Sequence, residues 1–351
     1  KSIIEENEDA AKEIFTELIR DANPGGQYDT KLVDFDDYSR YKTILAIDKL
    51  AKNQQCVLLQ LKNGGQRSEV IINNINTLDS IQIDTFPVPD PGSTGLDTYY
   101  SIKLDRNTEE DIFYTFIADV IETAKNSTTD LIIMDVLKRV KSWMNFFKSK
   151  NTGVLSENGQ IGLFAELTML KTLLENNKGN LLNIVTSWVG PKKQNQDFIF
   201  PDTQAIEVKC TTSNNQYEIK ISNEYQLDSS GLGRLFLAVY QVKRHKISED
   251  SLFPSLPFLV KEIKELLKTD LEAKFEFEGL LLEVGYLVEA EIEYIDFGFQ
   301  IINGPEIYDV NQDFPRLTRA SISNSIKKIE YNLNLQEQVA LNSNINQLIN
   351  L

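Results

Sequence analysis

The spacing of apolar residues changes period several times along the chain. Between residues 2 and 20 they fall at Ile3, Ile4, Ala11, Ile14, Phe15, Leu18 and Ile19, which is the spacing of one helix face. From about 31 to 104 the runs shorten to β-rich segments, "CVLLQL", "EVIINNI" and "YYSIKL", broken by the turn formers "NGG" and "FPVPDPGSTG". Helical spacing returns in a helix from Thr108 to about Lys125, with Asp111 at capping-box distance from Thr108. Two further helices follow over roughly 130–149 and 158–176.

Beyond that point "QDFIFPDTQAIEVKCT" (196–211) reads as two short strands joined by a tight turn. "QYEIKIS" continues the strand pattern, and "GRLFLAVYQVKR" is a near-continuous apolar run, as in a strand covered on both faces. A helix over 256–269, strands around 278–302 and a helical segment from about 318 complete the pattern. Helices interleaved with apolar strands predict an α/β core sheet. The expected division is a β-rich N-terminal module over 1–107, a core over 108–250 and an α+β extension over 251–351.

At 351 residues with an apolar fraction of 41%, the chain is expected to be globular and to have more than one part. No apolar run approaches 18 residues, and residues 1–15 have neither the apolar core nor the cleavage site of a signal peptide. Cys56 and Cys210 stand far apart, as free thiols in a reducing compartment would. The expected localisation is cytoplasmic.

The formal charge of −16 weighs against simple nucleic-acid binding. Its distribution changes that picture. Residues 261–315 hold 14 acids and 4 bases, whereas 186–246 hold 8 bases and 6 acids. "KRVKSWMNFFKSK" (138–150) has five bases and no acid. Lys138, Arg139 and Lys141 on this helix suit either a nucleic-acid backbone or solvent. His245, the single histidine, sits within "KRHK" and reads as part of a basic patch, so histidine triads and histidine–metal clusters are not expected.

Two local anomalies stand out. Glu207 and Lys209 are two apart on a strand, so they share one face while Ile206, Val208 and Cys210 take the other. Asp197 on the preceding strand is near enough to join them. The second anomaly is Glu166, which falls at helical spacing with Leu163, Leu170 and Leu173, on the stripe that should face a core. Charges of this kind must lie in a cleft, pair with one another or bind a metal. Three carboxylates suit a hard divalent ion such as Mg²⁺.

"GLFAEL", "QDFIF" and "AIEVKCT" together resemble the PD-(D/E)XK nuclease superfamily. Glu166 matches its helix glutamate, Asp197 its motif aspartate, Glu207 its second acid and Lys209 its lysine. "IKISNEYQLDSSGLGRLFLAVYQV" is further similar to a bacterial group of PD-(D/E)XK family members, often encoded near DNA methyltransferases. Ser222 and Gln226 fall where that group has a serine and a glutamine. Gln196 replaces the proline that gives the motif its first letter.

The resemblance implies a restriction-endonuclease-like core with a central mixed β-sheet flanked by helices. It implies Mg²⁺-dependent hydrolysis of DNA, with Mn²⁺ as a substitute, in restriction or phage defence. Asp197, Glu207 and the Val208 carbonyl would ligate the ion, and Glu166 would hold a second ion or a water. Lys209 would orient the water and stabilise developing charge, with Gln226 positioning either. The same resemblance implies a methyltransferase as genomic partner; a homodimer would be the economical way to cut both strands of DNA, and without a long apolar run no membrane association is expected. Two other functions stay open: an idle binding subunit of a defence complex, and a nuclease for RNA or branched DNA.

Overall fold

The computed structural model describes residues 3–21, 27–32, 41–52, 54–61, 81–89, 96–104, 110–127, 132–148, 154–177, 179–212, 214–215, 217–247 and 253–349. The chain divides into two compact units, 1–150 and 151–351. "EVIINNI", "NGG" and Thr108 lie outside the described residues.

In the first unit, helix α1 (Ile3–Arg20) precedes five strands: β1 (Tyr28–Leu32), β2 (Tyr41–Asp48), β3 (Gln54–Leu61), β4 (Ile81–Pro89) and β5 (Leu96–Leu104). They form one antiparallel sheet in the order β1-β2-β3-β5-β4. Helices α2 (Glu110–Asn126) and α3 (Ile132–Lys148) follow, and α2 packs on both α1 and α3. Phe116 and Trp143 meet edge-on at 5.6 Å between α2 and α3, and the Trp143 indole N–H donates to Asp119 at 2.7 Å. On the basic helix α3, Arg139 is buried beside Asp119, while Lys138 and Lys141 are exposed.

The second unit begins with α4 (Glu157–Asn176) and α5 (Leu181–Ser187). Ser156 caps α4 by accepting the Gly159 N–H, and Glu157 in the first turn complements the helix dipole. Then come β6 (Phe198–Ile199), β7 (Gln204–Thr211), β8 (Glu218–Ile221), β9 (Arg234–Lys246), α6 (Leu256–Leu266), α7 (Leu271–Val284), β10 (Phe297–Asp309), β11 (Tyr331–Asn334) and α8 (Ile345–Leu348). The main sheet is mixed, in the order β10-β9-β7-β6, with β7 and β9 parallel and the other pairs antiparallel. β9 carries six consecutive buried residues, Leu235–Tyr240, because it lies inside the sheet and is covered on both faces.

Two apolar layers follow from the strand alternation. Ile206, Val208, Phe236, Ala238 and Tyr240 pack against α4, α5, α6 and α7. Ala205, Leu235, Leu237 and Val239 face the other way, against Ile219 and Ile221 of β8 and Leu333 of β11. β8 and β11 pair as a separate antiparallel ribbon on that face. The protein is therefore a mixed α/β fold with several sheets.

The division between compact units falls at 150: α2 packs with α1 and α3 in the first unit, and β10 completes the second unit's sheet beside β9. Two expectations differ from this architecture. Residues 278–284, expected as strand, are the end of α7. Their run "LLLEV" is too uniformly apolar to show a period, and the Asp270 cap and Gly285 at φ +93° set the helix limits. The helical segment expected from about 318 is a 3₁₀ turn (Arg319–Ser321), the strand β11 and the short α8. Asn and Ser side chains there bond their own backbone, as Asn334 does to the Gln336 N–H at 2.9 Å and Asn344 to the Asn346 N–H at 3.1 Å.

Candidate active site

β7 alternates strictly, so Glu207 and Lys209 extend from the face opposite Ile206 and Val208. The Lys209 ammonium donates to Glu207 Oε1 at 2.5 Å. Glu207 is 1% exposed, and its other oxygen, Oε2, has no hydrogen-bond partner among the described residues. A buried carboxylate oxygen left without a donor is costly unless something else fills that role.

Asp197 immediately precedes the edge strand β6. Its Oδ2 accepts the Val208 N–H at 2.7 Å, which fixes the carboxylate across the hairpin from Glu207 and Lys209. Its carbonyl accepts two backbone N–H groups, from Val189 at 2.8 Å and Gly190 at 3.0 Å. Glu166 reaches the same place from α4, whose Leu163, Leu170 and Leu173 are buried as their spacing predicts. The indole N–H of the buried Trp188 donates to Glu166 Oε2 at 2.8 Å.

Gly190 shows how close the two acids are. A Cβ there would lie 3.0 Å from Glu166 Oε2 and 3.1 Å from Asp197 Oδ1, so both carboxylates meet one backbone position. Their electrostatics agree with that geometry. Burial, then the Asp197 charge, pushes the Glu166 carboxyl up to about 8, against the Trp188 hydrogen bond and Lys209. Burial likewise raises Asp197, opposed by Lys209 and the Val208 N–H. Glu207 is raised well above the usual carboxylate range, by burial and then by Asp197. Burial alone would lower the Lys209 ammonium, but Glu207 and Asp197 outweigh it and hold it charged.

Glu166, Asp197, Glu207 and Lys209 are thus gathered at one sheet edge. Gln226 is not brought onto Lys209: its side-chain oxygen accepts the Ser222 N–H at 2.9 Å. Val208 contributes its N–H to Asp197. Cys210 packs with the helix-side core, where burial pushes its thiol up to about 11. His245 bonds Gln300 at 3.0 Å and stacks on Phe253 at 4.5 Å.

Trp188, Gly190 and Gln196 were not legible as site residues. "WVGP" reads locally as a turn, and an indole N–H needs a partner only once it is buried. Gln196 donates from its amide to the backbone carbonyls of Tyr225 at 2.9 Å and Asp228 at 3.4 Å, which ties the following loop to the residue beside Asp197.

Among the described residues no group of three or more His, Cys, Asp or Glu side chains is gathered closely enough to hold a metal ion by itself. The residues still fit one. They offer an orphaned Glu207 oxygen and an Asp197 oxygen against a glycine, all-oxygen donors in a desolvated setting. Mg²⁺ takes one or two carboxylates and fills its remaining positions with water and substrate phosphate.

A mixed sheet with a helix glutamate, a hairpin aspartate and Glu-x-Lys on the next strand defines a protein of the PD-(D/E)XK type, a nuclease-like class. A family model described as "Putative PD-(D/E)XK family member, (DUF4420)" matches residues 6–336, and the chain belongs to that family. No curated protein and no solved structure matches the chain. Among the described residues no helix is long and apolar enough to cross a membrane.

Proposed function

We propose that the second unit is a divalent-metal-dependent endonuclease that hydrolyses phosphodiester bonds of DNA, as a restriction or phage-defence enzyme would. The observation that carries this reading is the partnerless buried oxygen of Glu207 beside Asp197, Glu166 and a charged Lys209. A solely structural ion pair would not need three desolvated acids at one place.

Asp197, Glu207 and the Val208 carbonyl would hold Mg²⁺, with Mn²⁺ as a substitute. Bound there, the ion would supply Lewis-acid charge to the scissile phosphate. Glu166, its carboxyl raised by burial beside Asp197, would hold a second ion or the attacking water. Lys209 Nζ orients that water and stabilises the charge that develops on the phosphoryl oxygens. Gln226 acts at one remove, holding the loop that Gln196 ties beside Asp197. A homodimer would place two such sites on the two strands of a duplex.

The test is cleavage of supercoiled and linear DNA with Mg²⁺ or Mn²⁺ by the wild type and by Asp197→Asn, Glu207→Gln and Lys209→Ala, alongside RNA and branched DNA. Each substitution is expected to lower the rate about a hundredfold or more. Variants that cut as fast as the wild type would remove the site from the chemistry. A folded wild type that binds metal yet cuts none of these substrates would favour the idle binding subunit.

A further inference from the structure

We propose that the cavity at one end of the β8–β11 ribbon binds an unstacked nucleotide of the substrate strand, beside the cleavage centre. The proposal takes its substrate class from the nuclease reading. The cavity is a depression open to solvent of about 610 Å³. Ser222, Asn223 and Tyr225 line one wall, on the loop that leaves β8. Arg319, Lys327 and Lys328 line the other, on the segment that enters β11. Both walls converge because Tyr331 pairs with Ile221, which brings those strand ends to the same edge.

Its position relative to the site is fixed twice. The ribbon packs on the sheet face that carries Glu207 and Lys209, through Ile219, Ile221 and Leu333. The Tyr225 and Asp228 carbonyls are held by the Gln196 amide, one residue from Asp197.

The lining selects the ligand. Arg319 is already committed to Glu224 and to the carbonyls of Ile322, Ser323 and Ile326, which makes it a strut of the wall. Lys327 and Lys328 are exposed and form no ion pair or hydrogen bond among the described residues, in a chain of net charge −16. Tyr225 is 40% exposed and lines the pocket. Two available ammonium groups, an aromatic ring and the Asn223 and Asn324 amides match the phosphate, the base face and the base edge of a nucleotide. A base paired within a duplex cannot present its face, so the occupant is single-stranded or extruded from the helix.

The experiment uses the full chain in EDTA, where cleavage is blocked. Binding of a fluorescent single-stranded oligonucleotide, of a blunt duplex of the same sequence, of deoxythymidine monophosphate and of inorganic phosphate is measured. The variants are Tyr225→Leu, Lys327→Ala with Lys328→Ala, Lys327→Arg with Lys328→Arg, and Glu207→Gln. Expected results are preference for the single strand and about tenfold or greater weakening in the first two variants. Retention is expected in the arginine pair and in Glu207→Gln. Binding of the monophosphate but not of inorganic phosphate would show that the base is read. Wild-type affinity in both Tyr225→Leu and the alanine pair, with thermal melting unchanged, would overturn the proposal. Absence of cleavage by the wild type supplied with Mg²⁺ or Mn²⁺, with this binding intact, would sink the nuclease reading and leave the pocket standing.

Discussion

At the scale of single residues, the consequences run through protons. Glu166, Asp197 and Glu207 all bind their protons more tightly in the folded chain than an ordinary carboxylate does. Between the usual Glu166 value of 4.5 and its raised value of about 8 the folded state therefore holds more protons than the unfolded one. Stability should fall as pH rises through that window. Lys209, raised above 10.5, stays charged throughout and adds no slope there. The proposed divalent ion would replace those protons, so its stabilising effect should grow with pH. Thermal melting at pH 6 and pH 8.5 with and without Mg²⁺ checks this, and a gain that shrinks at high pH would contradict it. Trp188→Phe removes the hydrogen bond that lowers the Glu166 value. Metal affinity is expected to drop by about 10–100-fold, and its pH midpoint should move upward, as read by calorimetric titration across pH.

Elements set where these residues stand. Ser156 caps α4 and Glu166 rides nine residues beyond Glu157, so the helix start governs the reach of the carboxylate. Ser156→Ala should cost about 1 kcal/mol by denaturant melting, with the cleavage constants nearly unchanged. A larger effect on cleavage than on stability would mean that the cap positions the site as well. Gly190 works differently. Its substitution by alanine leaves a backbone that any residue can adopt but crowds Glu166 Oε2 and Asp197 Oδ1. Stability should change by about 1 kcal/mol or less while metal affinity falls about tenfold. Equal losses in both measurements would show that the crowding is merely structural.

The pattern of β7 was legible because Glu207 and Lys209 alternate with Ile206, Val208 and Cys210, and that of α4 because Glu166 interrupts a leucine stripe. α7 and β11 were not. In the first, Gly279–Leu282 are buried residue after residue and show no period, and the second is only four residues long and pairs because β8 lies alongside.

For the whole molecule, the two units carry separate cores. Phe116 and Trp143 belong to one, while Leu173, Trp188 and Phe277 belong to the other. Residues 151–351 alone should fold and keep the metal affinity of the full chain, as circular dichroism and calorimetry would show. A fragment that melts without cooperativity would mean that the first unit is needed to complete the second. With 52 acids against 36 bases, the proposed DNA contact would concentrate where local cations face outward. The salt dependence of binding should therefore be shallow, corresponding to few phosphate contacts.

By itself the sequence determined the chemistry on offer. A Glu-x-Lys pair on a strand, an aspartate before it and a glutamate on a leucine stripe are local patterns, and strand and helix periods translate them into faces. It determined the mixed α/β class for the same reason. Tertiary structure alone decided which atoms meet. Gly190 between two carboxylates, the Trp188 indole on Glu166 and the Gln196 amide on the Tyr225 loop are contacts between segments far apart in the chain. It also decided the division at 150 and the place of β10 beside β9. Pairing of distant strands and burial of distant side chains depend on what the rest of the chain leaves uncovered, and no local period encodes that.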